Sequence, residues 1–355
     1  MITDPRVFEN EYLPRELMHR EGEVEELTRA FQPVLHEQAA DHVLISGPSG
    51  VGKTVLARFA LGRLLKHRYV DWAHIRCLGT TAGGLLRSAL REHHTSVDVA
   101  QNTPVDQLRQ QLRDVVDDPF ILVLDEADGL RSAEAIEQLA GLPKISIIPI
   151  CHKPEKWLAR APSAVRNGLR RHIELGRYGI DELADILQAR ADEGLPPSAI
   201  SRQQLRSIAN GVAGVARFGI QSLRAAAEIA DERGHSEILD EDIADSFDRA
   251  RRWIRESNLD SLPFHHHVIY SLIREAGEIP AAELHDRYEE LAESLYFDRD
   301  LTPIGCRSRR NKLAKLQEYG LIDYEGPHQH RFYYVLDEAI SSPVEIPSVN
   351  QQRAE

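Results

Sequence analysis

Through the first half of the chain, short apolar runs alternate with stretches of helical period. HVLIS (42–46), WAHIRC (72–77), FILVL (120–124) and KISIIPI (144–150) carry strand character, and helical spacing begins at Thr54 and again near 83–93. Alternating strands and helices predict a parallel sheet covered by helices, an α/β base over 1–175. From 181 to about 255 only helical spacing is present, as in DELADILQARADEG and GIQSLRAAAEIADERG, so 176–255 is predicted to be all-helical. Region 256–340 reads as helices at 264–276, 280–295 and 304–319, followed by two strands around EGPHQH (325–330). That order predicts a winged helix-turn-helix, whose last helix is the one that enters a major groove. The final fifteen residues, SSPVEIPSVNQQRAE, read as a disordered tail over 341–355.

Composition narrows the function classes. The chain has 355 residues, which suggests two or three domains, and its 42% hydrophobic content supplies real cores. There is no 18-residue apolar run and no signal-peptide layout at the N-terminus, so a soluble, cytoplasmic, nucleoid-associated protein without a membrane partner is expected. Cys77, Cys151 and Cys306 lie far apart and build neither a disulfide framework nor a metal knuckle. The formal charge is −13, with 7 lysines, 36 arginines and 56 carboxylates. Such acidity with few lysines suits a salt-loving cytoplasm, where net charge maintains solubility; an arginine-biased acidic protein is the alternative.

The strongest chemical signal is HVLISGPSGVGKTVLA. Gly47, Gly52, Lys53 and Thr54 satisfy G-x-x-x-x-G-K-[ST], with an apolar strand before and a helix after. Glycines let the backbone turn its N–H groups toward phosphate oxygens, and the helix N-terminus adds its dipole. Gly50, Val51 and Val55 belong to the same nucleotide-binding stretch. Lys53 is placed to reach the β- and γ-phosphates and Thr54 to ligate Mg²⁺. In FILVLDEAD, the strand sets Asp125 and Glu126 at its carboxyl end. There Asp125 can hold Mg²⁺ and Glu126 can polarise an attacking water.

The loop, the DEAD strand end and the helical follow-on together resemble an AAA+ ATPase module. More narrowly, the chain resembles the archaeal origin-recognition initiators, the Orc/Cdc-type proteins that mark replication origins and load the replicative MCM helicase. EYLPRELMHREGEVEEL (11–27) resembles the segment that packs on adenine in that family, which implies that role for Tyr12, Leu13, Pro14, His19 and Arg20. RYGIDELADILQARADEG resembles the lid entry, implying nucleotide contact by Tyr178 and Arg190, and GVARFGIQSLRAAAEIA implies Arg217 as the second sensor. An arginine suits that task because its planar fork bridges phosphate oxygens. Two positions depart from the family. Where it usually places an asparagine sensor, this chain reads ICHKPE, which puts Cys151 and His152 there. LARAPSAVRNGLRR matches the arginine-finger segment loosely, with Arg166 the candidate and Arg160 the alternative. These departures, with the acidic surface, fit a diverged haloarchaeal paralogue that binds nucleotide tightly and hydrolyses it slowly.

Against the acidic background, GCRSRRNKLAKLQ (305–317) packs five positive charges into nine positions, Arg307 to Lys315. On a helical wheel Leu313, Leu316 and Gly320 share one face near Cys306; Arg307, Ser308, Asn311, Lys312 and Lys315 fall opposite. Such a stripe neutralises phosphates and offers donors and acceptors to base edges. Arg331 at the wing tip is expected to reach the DNA backbone or minor groove. Consecutive helical residues point in different directions, so His265, His266 and His267 read as structural rather than metal-ligating. The reading is thus an ATP/ADP- and Mg²⁺-dependent initiator acting on double-stranded origin DNA, with oligomers forming on that DNA. The rival is an ATP-switched adaptor whose winged helix docks protein.

Overall fold

The structure is a computed structural model describing residues 1–96, 98–130, 134–299, 301–327 and 330–346. It divides into two compact units, Met1–Phe247 and Asp248–Glu355. In chain order the first unit contains α1 (Glu21–Phe31), β1 (His42–Ser46), α2 (Lys53–Leu65), β2 (Asp71–Arg76), α3 (Ala82–Glu92), α4 (Val105–Val115) and β3 (Phe120–Asp125). There follow α5 (Glu134–Ala140), β4 (Ile145–Cys151), α6 (Pro154–Arg160), α7 (Ser163–Gly168) and β5 (Leu169–Glu174), then the lid helices α8 (Ile180–Gly194), α9 (Arg202–Gly211) and α10 (Ala216–Arg233). Helix α11 (Asp240–Asp260) runs across the division.

Five parallel strands form one sheet in the order β2-β3-β4-β1-β5. Helices cover both faces, so the central strands read as continuous apolar runs. Within β3, Leu122 and Leu124 join a core with α3, α4 and α5, while Ile121 and Val123 join one with α1 and α2. Each fully buried side chain of this kind stabilises the fold by about 1.5–3 kcal/mol. Strand β5, LRRHIE, escapes the sequence reading, which absorbed it into the arginine-finger segment. It pairs on one side only, with β1, so its outward positions stay charged and the apolar signature is missing.

The lid has its own core, and the chain's first residues belong to it rather than to the base over 1–175. Val7 and Phe8 are buried with Leu183, Leu187 and Leu223, Gln221 Nε2 donates to Phe8 O at 2.7 Å, and Thr3 N donates to Gly194 O at 2.9 Å. Gly194 is required by this docking, since a Cβ there would lie 2.7 Å from the Phe8 ring.

The second unit contains α12 (Phe264–Ala276), β6 (Glu278–Pro280), α13 (Ala281–Tyr296), α14 (Cys306–Glu318), β7 (Ile322–Glu325) and β8 (Phe332–Val335). Its antiparallel sheet has the order β6-β8-β7, adding the short β6 to the expected three helices and two strands. The end of α11 packs here, with Arg252 Nε donating to Asp337 Oδ2 at 3.0 Å. This explains why the unit begins before residue 256. Of the segment read as a disordered tail, Ser342 and Val344 are tied to α12: His267 Nδ1 lies 3.2 Å from Ser342 Oγ, and Ser271 Oγ donates to Val344 O at 2.8 Å. Residues 347–355 lie outside the described residues. Among the described residues no helix is long and apolar enough to cross a membrane.

Candidate nucleotide site and nucleic-acid face

The loop after β1 turns on glycines whose conformation other residues resist. Gly50 and Gly52 have φ of 76° and 95°, and Gly47 (φ 141°) runs so close to β5's exit that a Cβ would lie 2.2 Å from Leu175 O. Gly52 caps α2, which aims the free N–H groups and positive dipole end of that helix into the loop. Lys53 is buried, and its Nζ donates to Gly47 O at 2.8 Å and Pro48 O at 2.7 Å. Burial pulls this ammonium below its ordinary pKa, opposed by the charges of Asp125 and Asp128.

At the end of β3, Asp125 Oδ2 accepts from Thr54 Oγ1 at 2.8 Å and lies 3.0 Å from His74 Nε2, and its Oδ1 accepts from Glu126 N at 2.9 Å. Burial works to raise the Asp125 carboxyl, but the hydrogen bonds from His74 and Thr54 outweigh it and hold the group below its ordinary range. Glu126 sits at φ 53°, a left-handed conformation stored at a strand end. Thr54 and Asp125 are hard oxygen donors already within hydrogen-bond reach, so they fit the requirements of Mg²⁺.

Strand β4 lies between β3 and β1 and delivers His152 to the same place. His152 Nδ1 is 3.3 Å from Lys53 Nζ, and its N–H donates to Asp128 Oδ2 at 3.2 Å. Cys151 is buried, and burial pushes its thiol up to about 12, so His152 is the side chain that meets the lysine. His74 is the residue here that sequence reasoning missed; one histidine on a strand carries no signal until the neighbouring strand supplies Asp125.

The lid meets the loop through backbone. Arg217 N donates to Gly50 O at 3.0 Å, and Val215 with Arg217 packs over Gly50 so closely that a Cβ would lie 2.8 Å from Val215 Cγ1. Tyr178 points its hydroxyl toward Gly52 and carries the Arg20 guanidinium 4.2 Å over its ring. Arg20 also donates to Gly176 O at 2.5 Å and Glu23 Oε1 at 2.9 Å. His19 Nε2 reaches Asp185 Oδ2 of α8 at 2.9 Å, which joins the N-terminal segment to the lid. Arg190 donates to Val7 O at 2.9 Å and lies 4.1 Å over the ring of Tyr12, whose hydroxyl bonds Glu193. Tyr12 and Arg190 are therefore brought to each other. Leu13 is exposed and Pro14 half-buried next to them. Arg166 stands exposed on α7, with Nη1 3.5 Å from Leu158 O, and Arg160 is exposed at the end of α6; neither joins the cluster around Lys53.

Residues 16–148 match the AAA ATPase domain family, and 184–248 match the Cdc6 AAA+ ATPase-type lid domain. The chain is 32% identical over 356 residues to ORC1-type DNA replication protein 9 of Halobacterium salinarum, covering 99% of this chain and 97% of the relative. The chain belongs to the ORC1-type DNA replication protein family. ORC1-type DNA replication protein 1 of the same organism is 32% identical over 301 residues, 81% of this chain and 95% of that one. Among solved structures, the Aeropyrum pernix ORC1 protein in complex with DNA superposes with a TM-score of 0.72 at 21% identity, over 97% and 94% of the two chains. The Aeropyrum pernix ORC2 protein (ADPNP-ADP complexes) gives 0.62 at 23%, over 94% of each. At these identities the likeness shows a shared fold.

In this ORC1-type chain the basic run forms α14, and the structure redistributes its charges. Leu313 and Leu316 are buried as the wheel implies, but so is Arg309, at 4% exposure. Its guanidinium donates to Glu289 Oε1 (2.6 Å), His285 Nδ1 (3.1 Å) and Ile304 O (3.2 Å) and lies 4.8 Å over the Tyr288 ring. The solvent stripe is Arg307, Arg310, Asn311, Ala314 and, at the helix end, Glu318. Ser308, Lys312 and Lys315 are half-buried on its flanks, with Lys315 Nζ 4.3 Å over the Tyr319 ring and 3.7 Å from Glu318. Arg310 is thus an exposed cation that the wheel reading left out. Arg331 is half-buried, its guanidinium 4.1 Å over Tyr324 of β7. His328 and Gln329, in the segment expected to be a wing tip, lie outside the described residues.

The three consecutive histidines of α12 take three separate partners. His265 Nδ1 lies 2.7 Å from Tyr296 OH, His266 Nδ1 3.2 Å from Pro263 O, and His267 meets Ser342. Burial, with the Lys312 charge adding to it, pushes the His266 imidazole down to about 3.

Proposed function

We propose that this ORC1-type protein is a nucleotide-controlled replication initiator, with ATP or ADP held by the first unit and origin DNA by the second. The observation that carries the reading is the convergence of Lys53, Thr54, Asp125 and His152 at a loop whose Gly50 carbonyl accepts from the lid at Arg217 N. The loop N–H groups and the α2 terminus cradle phosphates; Lys53 exchanges the Gly47 and Pro48 carbonyls for phosphate oxygens. Thr54 and Asp125 would hold a Mg²⁺, which when bound would supply charge neutralisation to the nucleotide phosphates. Glu126 orients an attacking water. Tyr178, with Arg20 stacked on it, and the Tyr12–Arg190 pair shape the base and sugar side. His152 in the sensor place and the exposed Arg166 give slow turnover, so hydrolysis acts as a switch. Because Arg217 is attached to the loop, occupancy of the phosphate site sets the lid's position.

The second unit is read as a winged helix with α14 entering the major groove, Arg307, Arg310 and Asn311 foremost and Ser308, Lys312, Lys315 and Arg331 on the flanks. Oligomerisation on DNA and loading of the replicative MCM helicase in the cytoplasm complete the reading. Calorimetry of the full chain with Mg²⁺ at matched salt tests it: ATP and ADP bind, and Lys53→Ala abolishes both. No heat with either nucleotide overturns it. The adaptor reading draws on one observation, that of the α14 cations Arg307 and Arg310 are exposed while Lys312 and Lys315 are half-buried and Arg309 buried. A protein partner bound with no duplex affinity at any salt would favour it.

A further inference from the structure

At the opposite end of the sheet from Asp125, three ligand-type side chains meet. Asp71 opens β2, where it registers with Phe120 at the start of β3, whereas Arg76 registers with Asp125. The two ends are about 17 Å apart at roughly 3.3 Å per residue. Helix α3 ends at Glu92, so His93 and His94 leave its last turn and come back onto Asp71. His93 Nε2 lies 3.5 Å from Asp71 Oδ2, and His94 Nδ1 is in direct contact with the same oxygen. One ligand atom from each residue falls within 4.8 Å of the others.

We infer that Asp71, His93 and His94 form a site for a divalent transition metal of the zinc class, distinct from the nucleotide site. Two imidazoles and one carboxylate are a donor set that Zn²⁺ accepts, with tetrahedral bonds of about 2.0–2.1 Å that put ligand atoms roughly 3.3 Å apart. The His93–Asp71 pair already stands at that spacing. The His94–Asp71 contact would open on binding so that both imidazoles share one ion.

The surroundings orient each ligand as metal sites require. Tyr69 OH donates to Asp71 Oδ1 at 3.0 Å, leaving Oδ2 toward the imidazoles. Thr95 Oγ1 lies 2.9 Å from His93 Nδ1 and Thr95 N donates to the same nitrogen at 3.4 Å, which tethers the ring with its Nε2 toward Asp71. The His93 ring is fixed edge-on against Phe120, centroids 5.0 Å apart at 79°. Its side chain is 2% exposed, so the packing around it holds the ring in place. His94 is 52% exposed, so a bound ion would be open to solvent and a water would complete its coordination. The ion would clamp the end of α3 to the start of β2 and fix where the following segment leaves the base.

The test uses the full chain, freed of metal with a chelator and kept in excess Mg²⁺ and ADP so that the phosphate site is not titrated. Zn²⁺ is then added in a calorimeter, and Co²⁺ in parallel for its visible absorption. One equivalent of Zn²⁺ and a four-coordinate Co²⁺ spectrum are expected. His94→Ala removes an exposed ligand without touching a core and should weaken binding at least about ten-fold; Asp71→Asn should do the same. Unchanged binding in both variants, or no binding beyond that of Mg²⁺, overturns the assignment.

Discussion

Replacing Arg309 by alanine separates the two jobs that cations perform on α14. Its side chain is 4% exposed, donates to Ile304 O and His285 Nδ1 and lies over the buried Tyr288 ring. Truncation leaves two acceptors without a donor, about 1–3 kcal/mol between them after local relaxation. The lost cation–π contact adds about 1 kcal/mol. The Glu289 pair adds little, because Glu289 is 68% exposed and screened. The total is about 3 kcal/mol, which in a unit of roughly 100 residues lowers its melting transition by on the order of 12–24 °C. The DNA-affinity salt slope, measured well below that transition, should not change, because Arg309 touches no phosphate. Arg307→Ala and Arg310→Ala should behave oppositely: an unaltered transition and a slope reduced by about 0.9 each. Thermal melts followed by near-ultraviolet circular dichroism, with DNA titrations at several salt concentrations, measure both quantities. If Arg309→Ala lowered the salt slope like its neighbours and left the melt unchanged, α14 would be rotated relative to its core and the assignment of its faces would be wrong.

Other outcomes follow from single positions. His266 has its folded pKa pushed down to about 3, so it contributes stability above the ordinary histidine pKa that is lost as pH falls from about 6.5 toward 3. His266→Leu should flatten the stability of the second unit between pH 6.5 and 5, where the parent's loss steepens toward a limit of about 1.4 kcal/mol per pH unit in urea titrations; equal pH slopes would refute this. Cys77 and Cys151 are buried with thiols pushed up, the latter to about 12, whereas Cys306 is half-exposed, so iodoacetamide at pH 8 should label Cys306 quickly and the other two only after unfolding. Gly47→Ala should abolish nucleotide binding in calorimetry while the lid stays folded, since its Cβ meets the backbone at Leu175 O and not a side chain that could move; retained affinity would show that the loop can shift.

Local signals found the nucleotide site because its parts are contiguous. A glycine-rich loop needs its glycines, lysine and threonine at set spacing, and FILVL announces a strand that must deliver Asp125 to its end. β4 was legible for the same reason, and it brings His152 Nδ1 to 3.3 Å from Lys53 Nζ. Edge strand β5 was not legible, since pairing on one side leaves its other positions free to be charged. The wheel for α14 found the buried leucines but not Arg309, because a helix's charged face does not say which of its cations will find a carbonyl and a histidine on neighbouring segments.

By itself, then, the order of residues determined the phosphate loop and the elements other than the edge strand β5 and the short β6, since these depend on spacing along a few turns or one strand. Tertiary structure alone decided the partnerships between distant positions: His74 with Asp125, Arg190 with Tyr12, Phe8 with the lid, and Asp71 with His93 and His94. The physical reason is that backbone periodicity is written every two or every 3.6 residues, whereas these contacts exist only after strand order and helix packing have folded remote segments together.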